Sequence, residues 1–155
     1  MKWLQLFEGY KKKKDKKVHN LSGIALIVDG RILLVHPKKF KNSKDKWSIP
    51  KGHIEGIDSL KSALKELEEE SGIVLNKNYD DIISVEYKKG GVKKELDVYI
   101  YYMKKSDLSK YLKGWEIKKK WFDNKEIFRS KFFTFKVAKE KIEDKMVKII
   151  NKVKN

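Results

Sequence analysis

Between residues 60 and 71 apolar side chains recur at three- and four-residue spacing: Leu60, Ala63, Leu64 and Leu67. That period is the stripe of an amphipathic helix. Glu66, Glu69 and Glu70 fall at i, i+3 and i+4, so their carboxylates share one face beside the stripe. Like charges at this spacing repel. Asp58 or Ser59 is placed to cap the start, and Gly72 follows the end. Three clustered carboxylates in a strongly basic chain invite a hard divalent cation. Magnesium takes oxygen ligands and shares its shell with substrate phosphates. The plain alternative is a solvated acidic face.

The residues around this helix read as strands. Residues 22–28 are apolar and partly β-branched, as in a buried strand. Asp29-Gly30 is a two-residue hairpin signal, and residues 31–35 are the expected partner. The loop 37–46 follows, with five lysines and Phe40. Pro50 limits any strand near Trp47. Strands are expected at 82–87, 96–103 and 115–122, with a turn at Gly90-Gly91. A short helix is expected at 106–112, and another capped by Asp123-Asn124. Residues 135–153 read as one longer amphipathic helix. Ala138, Ile142, Met146, Ile149, Ile150 and Val153 share its apolar face, which packs on the domain.

Charge narrows the partners. With 38 Lys+Arg against 22 Asp+Glu, the formal net charge is +16. Only Arg31 and Arg129 are arginines, so the positive charge acts mostly as lysine point charges. A polyanionic partner is favoured. The lysine run at 11–17 reads as a solubilising linker or as a non-specific anchor for nucleic acid. There is no cysteine, which excludes a disulfide framework, a thiolate metal site and a cysteine nucleophile. No apolar run approaches the roughly 18 residues of a membrane span. Residues 1–10 lack the pattern of a signal peptide. The expectation is a soluble cytoplasmic protein with no membrane partner.

The stretch from Gly52 to Ile73 resembles the Nudix box, G-x5-E-x7-R-E-U-x-E-E-x-G-U, where U is aliphatic. Lys65 stands at the arginine, followed by Glu66, Leu67, Glu69, Glu70, Gly72 and Ile73. Pro50-Lys51-Gly52-His53-Ile54-Glu55 resembles the frequent opening of the box, with Asp58 near its first glutamate. The segment from Gly52 to Glu66 is one residue shorter than the pattern. Lysine for arginine keeps the charge and loses the two-pronged fork. Upstream, Trp47 and Pro50 fall in the family's order. Downstream, Glu116 and Trp121-Phe122 resemble its closing strand.

The resemblance implies an α/β fold. It is a Nudix-type α/β/α sandwich around a mixed sheet, with a C-terminal amphipathic helix. The domain would span residues 21–155, after a basic segment at 1–20. The implied activity is hydrolysis of a pyrophosphate linkage with magnesium or manganese. By resemblance, Gly52, Glu66, Glu69 and Glu70 hold the metal. Glu66 or Glu69 serves as catalytic base, with Glu95 and Glu116 as outside candidates. Lys65 and Asp58 support the site. Lys51, His53 and Lys39 face substrate phosphates, extended by Lys38, Lys41 and Lys44. Tyr87 and Tyr101 are candidates to stack on a base, together with Tyr99, Tyr102 and Phe40. Strand alternation puts Tyr99 and Tyr101 on one face and Tyr102 on the other. Residues 47–53 look most similar to the branch that cleaves dinucleoside polyphosphates (Ap4A-like) or removes pyrophosphate from RNA 5′ ends. A nucleoside polyphosphate, and RNA with it, is the expected partner. The lysine-rich composition also resembles Nudix proteins of large tailed bacteriophages, which would place the protein in a host cytoplasm. The alternative is a non-catalytic Nudix-fold module that binds nucleotide or RNA.

Overall fold

A computed structural model describes residues 19–153. The lysine run at 11–17 lies outside the described residues. Strand β1, His19–Val28, runs through the middle of a mixed sheet. It lies parallel to β5, Val92–Met103, along its whole length. Its other edge is shared. The end of β1 pairs with β2, Arg31–Pro37, and its start pairs with β3, Lys51–His53. The edge therefore splits, and β3 occupies a notch beside the sheet. Gly23 permits this approach, because a Cβ there would overlap the Pro50 carbonyl and Lys51.

Among the described residues the sheet order is β4-β5-β1-β2-β8-β7-β6. Here β4 is Asp81–Lys89, β6 Leu112–Lys113, β7 Glu116–Ile117 and β8 Ile127–Thr134. Asp29 (φ 48°) and Gly30 (φ 77°) make the β1–β2 hairpin as a turn with two left-handed residues. Gly90 and Gly91 close β4 onto β5, also at positive φ.

Each face of the sheet carries its own apolar layer. Ile24, Leu26, Val28, Tyr99 and Tyr101 point to one face and meet Ala63 and Leu67 of helix α1, Ser59–Ser71. Ala25, Ile27, Val98 and Ile100 point to the other. There they meet helix α2, Phe135–Lys141, and helix α3, Val147–Lys152. The α/β/α sandwich with a mixed sheet is the architecture expected from the box.

The expected single helix over 135–153 is broken. Ile142 is extended (φ −71°, ψ 149°), and a turn of 3-10 helix, Asp144–Met146, precedes α3. The cause is Trp47. Its N–H donates to the Lys141 carbonyl at 3.1 Å, and its carbonyl accepts from the Glu143 N–H at 3.0 Å. These two bonds hold Ile142 beside Trp47 as a bridge. The apolar set assigned to that segment is nonetheless buried, from Ala138 to Val153.

Two further expectations are corrected. Residues 115–122 hold only the short strand β7 and a 3-10 turn, Lys119–Trp121. Asp123 does not start a helix: its N–H donates to the Glu69 carbonyl, and strand β8 follows. The sequence reading omitted β8. Its core-facing row includes Ser130 among aromatics, which blurs the alternation.

Candidate active site

Helix α1 is fixed at both ends. Asp58 Oδ1 accepts from the Lys61 N–H at 2.9 Å, which makes Asp58 the N-cap. Gly72 closes the other end in the left-handed region (φ 80°), its N–H donating to the Glu68 carbonyl. The carbonyls near that end are also taken up. Ser130 Oγ donates to the Glu70 carbonyl at 2.7 Å, and the Asp123 N–H donates to the Glu69 carbonyl at 3.1 Å. Helix register is thereby tied to β8, and the glutamates cannot rotate away from the notch.

The notch brings β3 against those glutamates. A Cβ on Gly52 would overlap the Glu66 carboxylate. The Lys51 N–H donates to Glu70 Oε1 at 3.2 Å. Glu66 and Glu70 are half-buried, while Glu69 and Glu68 are exposed. Desolvation raises the Glu66 carboxyl to about 7, and the charges of Glu69 and Glu55 add to it. Desolvation raises Glu70 to about 8, reinforced by Glu66 and only partly opposed by the Lys51 N–H and ammonium. Burial lowers the Lys51 ammonium, against the pull of Glu143 and Glu70. Lys51 therefore lies inside the cluster's own field.

Lys65 and Asp58 do not act together. Lys65 Nζ pairs with Glu55 Oε2 at 3.1 Å, and this bond, with the Glu55 charge, raises Lys65. Asp58 is engaged as the cap. Glu55 is thus the carboxylate that partners Lys65, and the sequence reading missed it. The Glu55 N–H donates to Ser62 Oγ at 3.0 Å, which staples the shortened loop to the helix. The shortening of the box by one residue was the available signal.

Other expected residues are dispersed. Tyr101 is corrected as a stacking platform: it is 1% exposed, in the layer under α1. Tyr99 is 8% exposed and meets Tyr79 edge-on at 5.0 Å. Tyr87 is half-buried over the opposite layer. His53 is exposed at the end of β3, opposite Leu21. Glu116 is engaged by Arg129 through two bonds of 3.0 and 2.6 Å, which hold its carboxyl low. Glu95 lies on β5 opposite Asn20.

A cavity of about 470 Å³ opens beside Glu70. Lys38, Lys39, Lys51, Lys125 and Glu126 line it. Lys125 and Glu126 were missed, because a loop more than 50 residues beyond the box carries them. The Lys38 N–H donates to the Glu126 carbonyl at 2.7 Å, which clamps the two rims together. The lysine loop is anchored from below. His36 Nε2 lies 2.7 Å from the Phe40 carbonyl and 2.9 Å from the Ser43 carbonyl, and its ring stacks on Trp47 at 4.6 Å.

The carboxylate and carbonyl oxygens at this notch are hard donors of the type magnesium and manganese take. Gly52 leaves the space against Glu66 free of a side chain. The donor set fits such a cation in kind. Among the described residues, no three carboxylate or imidazole groups already converge at metal-holding distance.

A family model described as NUDIX domain matches residues 19–152. Among curated proteins, none matches by sequence. Several solved structures share the fold. The Ap4A hydrolase of C. elegans, in a binary complex, is 17% identical with a TM-score of 0.64, over 86% of this chain and 93% of that one. A NUDIX hydrolase from Nitrosomonas europaea is 16% identical with a TM-score of 0.62, over 87% and 86%. A bifunctional NMN adenylyltransferase/ADP ribose pyrophosphatase from Francisella tularensis, complexed with AMP and a Mn ion, is 19% identical with a TM-score of 0.64. That match covers 94% of this chain and 45% of the other. At these identities the likeness is one of fold. Among the described residues no helix is long and apolar enough to cross a membrane.

Proposed function

Because this chain belongs to the Nudix family, we propose that it is a metal-dependent pyrophosphohydrolase acting on a nucleoside polyphosphate. A dinucleoside polyphosphate or a 5′-triphosphorylated RNA end is the preferred substrate. One observation carries this reading. Glu66 is held half-buried against Gly52 and Glu70 half-buried against the Lys51 N–H, with their carboxyls raised to about 7 and about 8, in a chain of net charge +16. A fold does not collect desolvated like charges without a counter-charge to meet them.

Glu66, Glu69 and Glu70 would hold magnesium or manganese, with the Gly52 carbonyl. When bound, such an ion supplies Lewis-acid polarisation of the phosphoryl oxygens and neutralises charge. The chain's own residues do the rest. Lys51 and Lys39 attract and orient the phosphates. A water attacks phosphorus, its proton passes to a carboxylate, and the bond to the leaving phosphate breaks. Glu66 or Glu69 is the acceptor, each on the carboxylate face beside the notch. The Lys65–Glu55 pair holds the loop over the helix and so positions Glu66 indirectly.

The deciding experiment is a substrate screen of the purified protein with Mg²⁺. It covers diadenosine polyphosphates, 5′-triphosphorylated RNA, nucleoside triphosphates and sugar nucleotides, with product identification. Cleavage of a phosphoanhydride that stops with chelator and returns with Mg²⁺ or Mn²⁺ is expected. Full activity in excess chelator would sink the reading. Tight binding of these ligands with no cleavage would assign the chain as a non-catalytic binding module instead.

A further inference from the structure

A second cavity, of about 670 Å³, opens at the C-terminal end of α1. The segment 121–127 runs from one cavity to the other. Trp121, Phe122 and Asp123 line the second, and Lys125, Glu126 and Ile127 line the one beside Glu70. Asp123 and Lys125 are two residues apart, so their Cα atoms are at most about 7 Å apart.

The lining suits a base. Trp121 is half-buried and meets Tyr111 edge-on at 4.9 Å. Val74, which is 52% exposed, adds aliphatic surface. Ring and aliphatic surface left open to solvent is what a base stacks on. Asn76, Glu68, Glu69 and Asp123 supply the polar groups. Carboxylates accept from the amino group of a base edge and repel phosphate. The cations stand over the rings instead. Lys110 Nζ is 5.0 Å from the centre of the Tyr111 ring and 5.7 Å from that of Trp121, and Lys120 Nζ is 5.4 Å from the latter. Both lysines are exposed. An exposed ammonium is held to a ring more weakly than a stacked base is. A base displaces it, and the ammonium then meets the phosphate attached to that base. A second ring repeats the pattern: Trp115 has the Arg31 guanidinium at 4.6 Å and Lys105 Nζ at 4.3 Å. Trp115 and Trp121 flank β7 near the end of the sheet. One ring serves a free nucleotide, whereas two rings with their own cations along one sheet end fit a strand.

We propose that the cavity at the end of α1 binds a base of a single-stranded RNA whose 5′ end lies beside Glu70, with Lys110 and Lys120 on its phosphates. This rests on the hydrolase reading above and narrows its substrate to a 5′-triphosphorylated RNA.

The test compares a 5′-triphosphorylated oligoribonucleotide with a nucleoside triphosphate, which has the same reacting end and no strand. Wild type should show the lower KM on the oligonucleotide. Trp121→Ala should raise that KM by about tenfold, the scale of one base–ring stack, with kcat nearly unchanged and the nucleoside triphosphate unaffected. Trp121→Phe, which keeps a ring, should restore most of the loss. The double variant Lys110→Ala/Lys120→Ala should flatten the plot of log KM against log salt for the oligonucleotide by about 1.4, two phosphates at about 0.7 each, and change nothing for the nucleoside triphosphate. Because its two side chains are exposed, the double variant decides the matter if Trp121→Ala does not fold. An oligonucleotide KM that neither variant moves, or equal losses on both substrates, would overturn the proposal. If the wild-type protein cleaves neither compound, the hydrolase reading fails by itself. Fluorescence anisotropy with a labelled 5′-hydroxyl oligoribonucleotide then judges the cavity. Binding weakened by either variant upholds it, and binding that is absent or unchanged overturns it.

Discussion

Replacing Glu70 with glutamine should abolish activity and at the same time stabilise the metal-free fold at alkaline pH. In the folded chain the Glu70 carboxyl is raised from 4.5 to about 8, first by desolvation and then by the Glu66 charge. A carboxyl that folding raises contributes stability in full below its unfolded value. That contribution is lost as pH climbs through the folded value. Wild-type protein in chelator should therefore weaken between about pH 4.5 and pH 8, and the glutamine variant should not share this loss. At about 1.36 kcal/mol per pH unit, the difference is at most about 5 kcal/mol. Glu70 is only half-buried, and part of its shift is shared with Glu66, so solvent screening reduces this to about 2 kcal/mol. The side-chain amide introduced by Glu70→Gln keeps an oxygen to accept the Lys51 N–H. For a chain of this length, about 2 kcal/mol moves Tm by roughly 4–8 °C. The assay is thermal unfolding in chelator at pH 5 and pH 9. The variant should match wild type at pH 5 and exceed it at pH 9. Added Mg²⁺ at pH 9 should raise wild type more than the variant, because the ion removes the repulsion that the variant lacks. A wild-type Tm equal to or above the variant's at pH 9 in chelator would refute the electrostatic account of the site.

Glu66→Gln should lower kcat on the order of a hundredfold, the scale of a catalytic electrostatic group, while Glu68→Gln changes little because Glu68 lies off the glutamate face; steady-state kinetics of both variants checks this, and equal losses would refute the assigned helix face. Gly52→Ala should eliminate turnover while circular dichroism stays native-like, because its Cβ overlaps the Glu66 carboxylate rather than the core. Gly72→Ala should instead lower Tm, since residue 72 sits at φ 80° and its Cβ would overlap the Trp121 backbone. At low substrate concentration activity should fall as salt rises, more steeply for RNA than for a dinucleotide, because exposed charges are screened beyond about 8 Å. Deleting residues 1–17 should flatten that slope on RNA alone if the lysine run anchors RNA, and an unchanged slope would leave it a linker.

Local periodicity made several features legible without a structure. The three- and four-residue spacing of leucines and glutamates in α1 encodes its faces, because side-chain direction follows directly from helical geometry. Asp29-Gly30 encodes a hairpin for the same kind of reason: few residue pairs accept two left-handed conformations. The family pattern then supplied the architecture. What tertiary structure decided are the relations that cross the chain. The notch exists because β2 and β3 share one edge of β1, which no local pattern records. The break at Ile142 comes from Trp47, whose backbone competes for hydrogen bonds that a continuous helix would keep. Tyr99 and Tyr101 share a face of β5 as expected, yet only the layer packed above them determines that they are core. Glu55 pairs with Lys65 across the turn that leads into α1, while Asp58 caps that helix. Lys125 and Glu126 reach the cavity because β8 returns beside β2 and brings its leading loop against Lys38. Spacing along a chain specifies faces, whereas burial and the raised carboxyls of Glu66 and Glu70 depend on what other segments place over them.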